Sequence, residues 1–580
     1  MGPETILIVL VLFCGFYVAW NIGANDVANA MGTSVGSGAL TLRNAVILAA
    51  IFEFAGAFIV GSNVSETVRK GIFDPDKLVN RVDVDVDNLN SVTAIKMIAE
   101  DDALVNTGDP LFELMVGEES RIVKSPAEGH FVQKSIKDVD ENAIVKHTFS
   151  VQLNRKRSSM VLACGMIAAL LAAGTWLLVA TFMSWPVSTT HSIVGAVVGF
   201  GCVALGLDGV AWNKVGFIAS GWLVSPLISG AIAYLVFGII LRTVFHKRDP
   251  VAAARRVAPK LVFVLMFVMT GMTCFKGLKP FWKSRKLDVD DPLFMISVAA
   301  IACVIGLIGY FITKYSVRNM KKVVTDPKGD ADGDTGSKPA SGNPVLDAEV
   351  SRSLAKTIKH LRRVRNTAEG EMLDKASSLL NDAEELQKHA LDQVTTNTDS
   401  AELQQVERVF TVLQILTACL DAFAHGSNDV ANAIGPLSAA YQAITEGAIA
   451  AKSTTPLWAL LLGGVGIVVG LWTWGWKVIK TVGEKITELT PSRGFCAEFA
   501  AATTILLASV LPFGLLISTT HTLVGAVLGV GLARGIGALN LRTMREIVAG
   551  WIITIPAGAG LCVLFYFLLK MIFIDSGWAL

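Results

Sequence analysis

The stretch Gly23-Ala24-Asn25-Asp26-Val27-Ala28-Asn29-Ala30 returns in the second half of the chain as Gly426-Ser427-Asn428-Asp429-Val430-Ala431-Asn432-Ala433. Each copy follows an apolar run long enough to cross a bilayer, so one repeated pattern carries four amides and two carboxylates into hydrocarbon. Polar groups are costly there and are kept where they line an ion or substrate path. The repeat therefore predicts a polytopic membrane protein of two related halves, each bringing the same polar set to one place.

A second motif recurs in the same order. Val187-Ser188-Thr189-Thr190-His191 opens a Gly-rich apolar stretch, and Ile517-Ser518-Thr519-Thr520-His521 opens another. Composition agrees with a membrane protein: 52% of the 580 residues are hydrophobic and 17% charged. A net charge of +1 and the absence of a long basic tract exclude a nucleic-acid partner. The eight cysteines stand singly in or beside apolar runs, as reduced packing residues do.

The apolar runs give about twelve spans of roughly 17 to 25 residues. In the first part they cover 5–24, 43–62, 158–182, 186–206, 213–243, 258–275 and 292–313, and in the second 409–426, 457–477, 496–516, 519–535 and 547–572. Five spans per half with two between them place an odd number of crossings between equivalent points, which inverts the second copy. The expected fold is thus all-α and polytopic, with two inverted repeats containing broken helices and re-entrant Ser-Thr-Thr-His hairpins. The domains are 1–73 with 151–245, the first repeat; 74–150, an inserted soluble β-rich segment; 246–325, connecting spans; 326–408, a linker and cytoplasmic helical segment; and 409–580, the second repeat.

Within the insert, Val105-Asn106-Thr107-Gly108-Asp109-Pro110 and Lys124-Ser125-Pro126 resemble hairpins of a lipoyl- or biotinyl-like sandwich barrel. Gly117-Glu118-Glu119-Ser120-Arg121 stands at the tip where such domains carry a modified lysine, so no cofactor is expected. The Gly, Asp, Ser and Pro content of 326–344 reads as a linker. Beyond it Leu354, Ile358, Leu361, Leu379, Leu380 and Leu386 recur at helical spacing, which predicts a helical hairpin or short coiled coil. Basic residues at 242–260 and 477–493 place those loops and 314–408 in the cytoplasm and both termini outside, against the opposing bias of Lys276, Lys279, Lys283, Arg285 and Lys286.

Helix N-termini attract anions, whereas helix C-terminal carbonyls and side-chain amides suit a small hard cation. Each helix running into Gly-X-Asn-Asp is expected to break there, and each Ser-Thr-Thr adds three hydroxyls before a helix. Two such triplets can surround a tetrahedral oxyanion without arginine. Asp26 and Asp429 would repel a fully ionised anion, but phosphate near neutrality keeps a P–OH proton that a carboxylate accepts, and arsenate shares that chemistry. His191 and His521 either relay protons or lock their hairpins. Glu53 and Glu498, acids inside apolar runs with no counterpart in the opposite repeat, are candidates for gating or ion coupling.

Both motifs together resemble the inorganic phosphate transporter (PiT) family, over roughly residues 5–245 and 409–572. Gly32-Thr33-Ser34-Val35-Gly36-Ser37-Gly38 with Thr41-Leu42-Arg43, and Glu66-Thr67-Val68-Arg69-Lys70-Gly71-Ile72, are similar to its sodium-coupled branch. The resemblance implies a phosphate held by Asp26, Asn29, Ser188, Thr189 and Thr190 with Asp429, Asn432, Ser518, Thr519 and Thr520. It also implies sodium as coupling ion at Asn25, Asp26, Asn428 and Asp429, and coupling or gating roles for Glu53 and Glu498. The chain is then a multi-pass protein of the cell (inner) membrane, a sodium-phosphate symporter working by alternating access, with phosphate, sodium and lipid as partners and no catalytic residue. A homodimer is left open.

The nearest alternative couples to protons and carries phosphate or a metal-phosphate complex. An intramembrane protease is disfavoured because a duplicated Ser-His pair has no use in a single-nucleophile mechanism. A channel is disfavoured by a polar core suited to occlusion.

Overall fold

The first repeated motif ends one helix and starts another. In the computed structural model α1 (Pro3–Asn25) closes when the Asp26 N–H donates to Ile22 O at 2.8 Å, and α2 (Ala28–Gly36) begins beyond Val27. Helix α3 (Leu42–Val60) follows, with the Thr41 hydroxyl accepting from the Asn44 N–H at its start. The structure describes residues 2–61, 155–274, 292–318, 370–397, 401–447, 455–479, 489–510, 517–534 and 541–576, with the strands and turns of 78–153 and parts of 354–366. The stretch Glu66–Ile72, the tip residues Gly117 and Glu118, the charged stretch 276–286, the linker 326–344 and the lead-in 511–516 lie outside the described residues.

Among the described residues of the insert there are seven strands: β1 (Asn80–Asp83), β2 (Ala94–Met97), β3 (Leu104–Val105), β4 (Pro110–Val116), β5 (Glu119–Lys124), β6 (Gly129–Ile136) and β7 (Lys146–Leu153). They form two antiparallel sheets, in the orders β1-β7-β6-β3 and β2-β4-β5. Phe112 of one sheet and Phe131 of the other, both fully buried with ring centroids 6.1 Å apart, join them. The turn after β3 needs Gly108 at φ +96° and is closed by Asp109 Oδ2, which accepts from the Asn106 N–H at 2.7 Å.

The first half resumes with α4 (Arg155–Phe182), α5 (Thr189–Leu205) and α6 (Trp212–Ile240). Helices α7 (Pro250–Met272) and α8 (Pro292–Arg318) pack together, then α9 (Glu371–Asn397) forms a hairpin with the helical residues around Ile358. Ile358, Leu380 and Ala383 bury that hairpin's seam, and Arg362 pairs with Glu384 at 2.9 Å. The second half comprises α10 (Ala401–Thr445), α11 (Leu457–Gly470), α12 (Pro491–Val510), α13 (Thr519–Arg534) and α14 (Leu541–Lys570).

Among the described residues eight helices are long and apolar enough to cross a membrane. The remaining four expected spans are helices as well, at α5, α7, α12 and α13. Residues such as Leu293, Ile296, Phe311, Ile312 and Tyr315 on α8 are exposed, the apolar exterior of a chain whose solvent at that depth is lipid.

One expectation is corrected. The second Asn-Asp motif does not break its helix, because α10 runs unbroken through Asn428 and Asp429. There His425 reaches forward one turn, Nε2 to Asp429 Oδ2 at 2.7 Å, and ties consecutive turns together. Counting back from the aligned motifs, Ile22 holds the corresponding place in the first copy and offers no such tie.

Packing between the halves is exchanged. Gly195 of α5 meets the backbone of Ile555 on α14, where a Cβ would lie 2.5 Å from the carbonyl oxygen, and Gly199 meets Ala559 one turn on. In the reciprocal place Gly525 and Gly529 of α13 press against the backbones of Pro226 and Gly230 on α6. Glycine is required at these crossings because any side chain would push the helices apart. Each Ser-Thr-Thr helix therefore rests on the last helix of the opposite half.

Candidate functional site

At the start of α5, Ser188 is the N-cap residue, its hydroxyl oxygen accepting the His191 N–H at 3.3 Å; Ser518 does the same for His521 at the start of α13. Helix geometry leaves the N–H groups of Thr189, Thr190, Thr519 and Thr520 without intrahelical acceptors. The two N-termini abut: the Thr520 hydroxyl donates to Val187 O at 3.3 Å and the Thr190 hydroxyl to Ile517 O at 3.5 Å. Two positive helix ends thus converge where the halves meet.

The Asn-Asp motifs close this place from the other side by a reciprocal rule. Within each half the first threonine donates to the aspartate, Thr189 to Asp26 Oδ2 and Thr519 to Asp429 Oδ2, the latter at 2.9 Å. Across the halves the last asparagine donates to the second threonine, Asn29 Nδ2 to Thr520 Oγ1 at 2.9 Å and Asn432 Nδ2 to Thr190 Oγ1 at 3.3 Å. Asp26, Asn29, Ser188, Thr189, Thr190 and their counterparts Asp429, Asn432, Ser518, Thr519 and Thr520 are all buried. A cluster of hydroxyls, amide N–H donors and helix N-termini, with a carboxylate at each end, can hold an oxyanion that retains one proton.

Asn25 and Asn428 are tied to the hairpins. Asn25 Nδ2 donates to Thr181 Oγ1 at 3.0 Å and Trp185 O at 3.1 Å, and its Oδ1 accepts from the Val187 N–H at 3.4 Å, which anchors the turn where Ser184 takes φ +58°. Asn428 Nδ2 donates to Asp429 Oδ1 at 2.8 Å and lies 3.5 Å from Ile517 O.

The two glutamates stand outside the reciprocal set and lean on the second half. Glu53 Oε2 lies 2.9 Å from His425 Nδ1, so one imidazole bridges Glu53 and Asp429. Glu498 is held by the Thr33 hydroxyl and by Ser34 Oγ at 2.6 Å, Thr417 Oγ1 at 2.7 Å and Gln414 Nε2 at 3.4 Å. It clamps α2 to α10 and α12.

The sequence profile of the phosphate transporter family matches residues 22–99 and 127–562. The chain belongs to the phosphate transporter family. Among its relatives, a putative phosphate permease of Chlamydia pneumoniae is 38% identical over 98% of this chain and 99% of its own length. The chloroplastic inorganic phosphate transporter 2-1 of Arabidopsis thaliana is 37% identical over 96% of this chain and 70% of its own. A solved structure named "The sodium-dependent phosphate transporter" is similar over 98% of this chain and 100% of that one, with 31% identity and a TM-score of 0.64. The resemblance read from the two motifs holds, and the chain is an integral multi-pass transporter rather than an enzyme.

Residues of this family member that the motif reading missed lie along one face of α10. Gln414, Thr417, Asp421 and His425 are buried and recur at helical spacing before Asn428 and Asp429. Their counterparts in α1 are Val11, Cys14, Val18 and Ile22. The signal was present as a difference between the repeats, which a search for what recurs passes over.

Proposed function

We propose that the chain is a sodium-coupled inorganic phosphate symporter working by alternating access, with the phosphate held between two inverted halves at mid-membrane. The observation that carries this reading is the reciprocal interlock of Asp26–Thr189 and Asp429–Thr519 within the halves with Asn29–Thr520 and Asn432–Thr190 across them. A phosphate replacing the Asp–Thr bonds would take hydrogen bonds from the four threonine hydroxyls and the helix N–H groups, with Asn29 and Asn432 still donating to the oxygens of Thr520 and Thr190. It would give its own proton to one aspartate. Release follows when the halves part, because each second threonine is then separated from its asparagine. Oxygen ligands, the Asp26 and Asp429 carboxylates and the Asn25 and Asn428 amides, favour sodium as the accompanying cation. The similar solved transporter is called sodium-dependent, which supports the same ion here.

The test is uptake of labelled phosphate into liposomes with sodium replaced by choline at fixed pH and potential. Loss of uptake in choline is the expected result. Uptake that persists in choline and follows an imposed pH gradient would establish the second reading, proton coupling, which the Glu53–His425–Asp429 bridge favours. Dependence on a divalent cation instead would establish a metal-phosphate cargo, for which the ligand atoms of Asp26, His425 and Asp429 lie within 4.8 Å of one another.

A further inference from the structure

Behind the hydroxyl cluster four rings form a continuous stack across the two halves. Trp222 of α6 meets His191 with centroids 3.9 Å apart, His191 meets His521 edge-on at 4.4 Å, and His521 lies on Trp551 of α14 at 3.6 Å. Both histidines and Trp222 are buried. Each histidine is the third residue of its helix, directly after Thr190 or Thr520, so the ring spacing sets how far apart the two Ser-Thr-Thr segments stand. The chemistry around the rings is uncharged: His521 Nδ1 lies 3.1 Å from Trp222 O, while neither nitrogen of His191 makes a well-formed hydrogen bond, the Trp551 backbone being its polar neighbour. A proton relay needs a titratable acceptor beyond each imidazole, and among the described residues the polar groups these rings reach are the backbones of Trp222 and Trp551.

We infer that His191 and His521 are positioning residues which hold the two hydroxyl triplets at phosphate-binding distance through the Trp222–His191–His521–Trp551 stack. This rests on the phosphate reading above. Aromatic pairs contribute beyond their buried area through ring geometry, which phenylalanine retains and alanine loses. Phenylalanine also removes the poorly satisfied nitrogens of His191 at no cost beyond the weak contact with the Trp551 backbone, whereas at His521 it deletes the better-formed bond to Trp222.

The experiment compares His191→Ala, His191→Phe, His521→Ala and His521→Phe in proteoliposomes, reading KM and maximal rate for phosphate from pH 6 to 8, with melting in detergent to verify folding. The alanine variants should raise the KM for phosphate by about tenfold, the scale of losing ring contacts at a binding site. His191→Phe should restore it to within about threefold with an unchanged pH profile, and His521→Phe should restore less. If phenylalanine rescues neither site, or if His191→Phe changes the pH profile, the positioning role is overturned in favour of a proton-carrying one. Should an alanine variant not fold, the phenylalanine pair alone decides, since a relay histidine cannot be replaced by phenylalanine. Failure of the phosphate reading itself is distinct, because the unaltered protein would then take up no phosphate.

Discussion

At the scale of single residues the site is a set of exchanged hydrogen bonds, and exchange makes a prediction that adjacency alone does not. Asn29→Ala and Asn432→Ala each strip one threonine of its amide donor, and each should raise the KM for phosphate by about tenfold, the worth of one to two net hydrogen bonds. Double substitutions distinguish the pairing. Asn29→Ala with Thr520→Ala should be strongly non-additive and Asn29→Ala with Thr190→Ala close to additive, because only the first pair is in contact. The reverse pattern would refute the crosswise interlock. Glu498 belongs to a different task. Four donors saturate its carboxylate, and Glu498→Gln would set an amide N–H₂ against hydroxyls that now donate, so melting in detergent should report a loss of about 2 kcal/mol. An unchanged melting temperature with lost uptake would instead make Glu498 a transport residue. The residues that recur were legible in the sequence because repetition in hydrocarbon singles them out. Their crosswise partners were not, since spacing along a chain does not say which half a side chain reaches.

At the scale of elements, helices cross closely where glycine allows it. Gly525→Leu places a side chain into the backbone of Pro226, and folded protein and uptake should both fall sharply, while Gly216→Leu, with no neighbour within 4 Å of its Cβ position, should leave both unchanged. Equal tolerance at the two positions would show that the α6–α13 crossing does not carry the fold. The break between α1 and α2 was readable from Gly-X-Asn-Asp followed by small residues, and the same residues failed to break α10 because the His425 tie supplies what the first copy lacks. The strands between Asn80 and Leu153 were readable from turn chemistry at Gly108 and Asp109, which fixes hairpins locally. Local signals of that kind survive without knowledge of the fold, whereas the seating of His425 against Glu53 is a contact between residues far apart in sequence.

At the scale of the whole molecule two nearly matching halves carry an unmatched polar face. The row Gln414, Thr417, Asp421 and His425 exists on α10 alone, so the surroundings of the shared cluster differ on its two sides although the cluster itself does not. Under the alternating-access proposal, likeness at the centre suits a cargo presented in turn to either side, and unlikeness around it would give that cycle a direction-dependent environment. The exchanged grip of α5 on α14 and α13 on α6 has its own bearing on how the chain is made. When synthesis has reached residue 325, α5 still lacks its seat, since that seat is residues 555–559. Severing the gene within 326–344 should consequently yield two inert polypeptides that regain uptake when synthesised together in one cell, and either piece working alone would refute this. The two halves are clasped partners, each supplying the seat for a helix of the other.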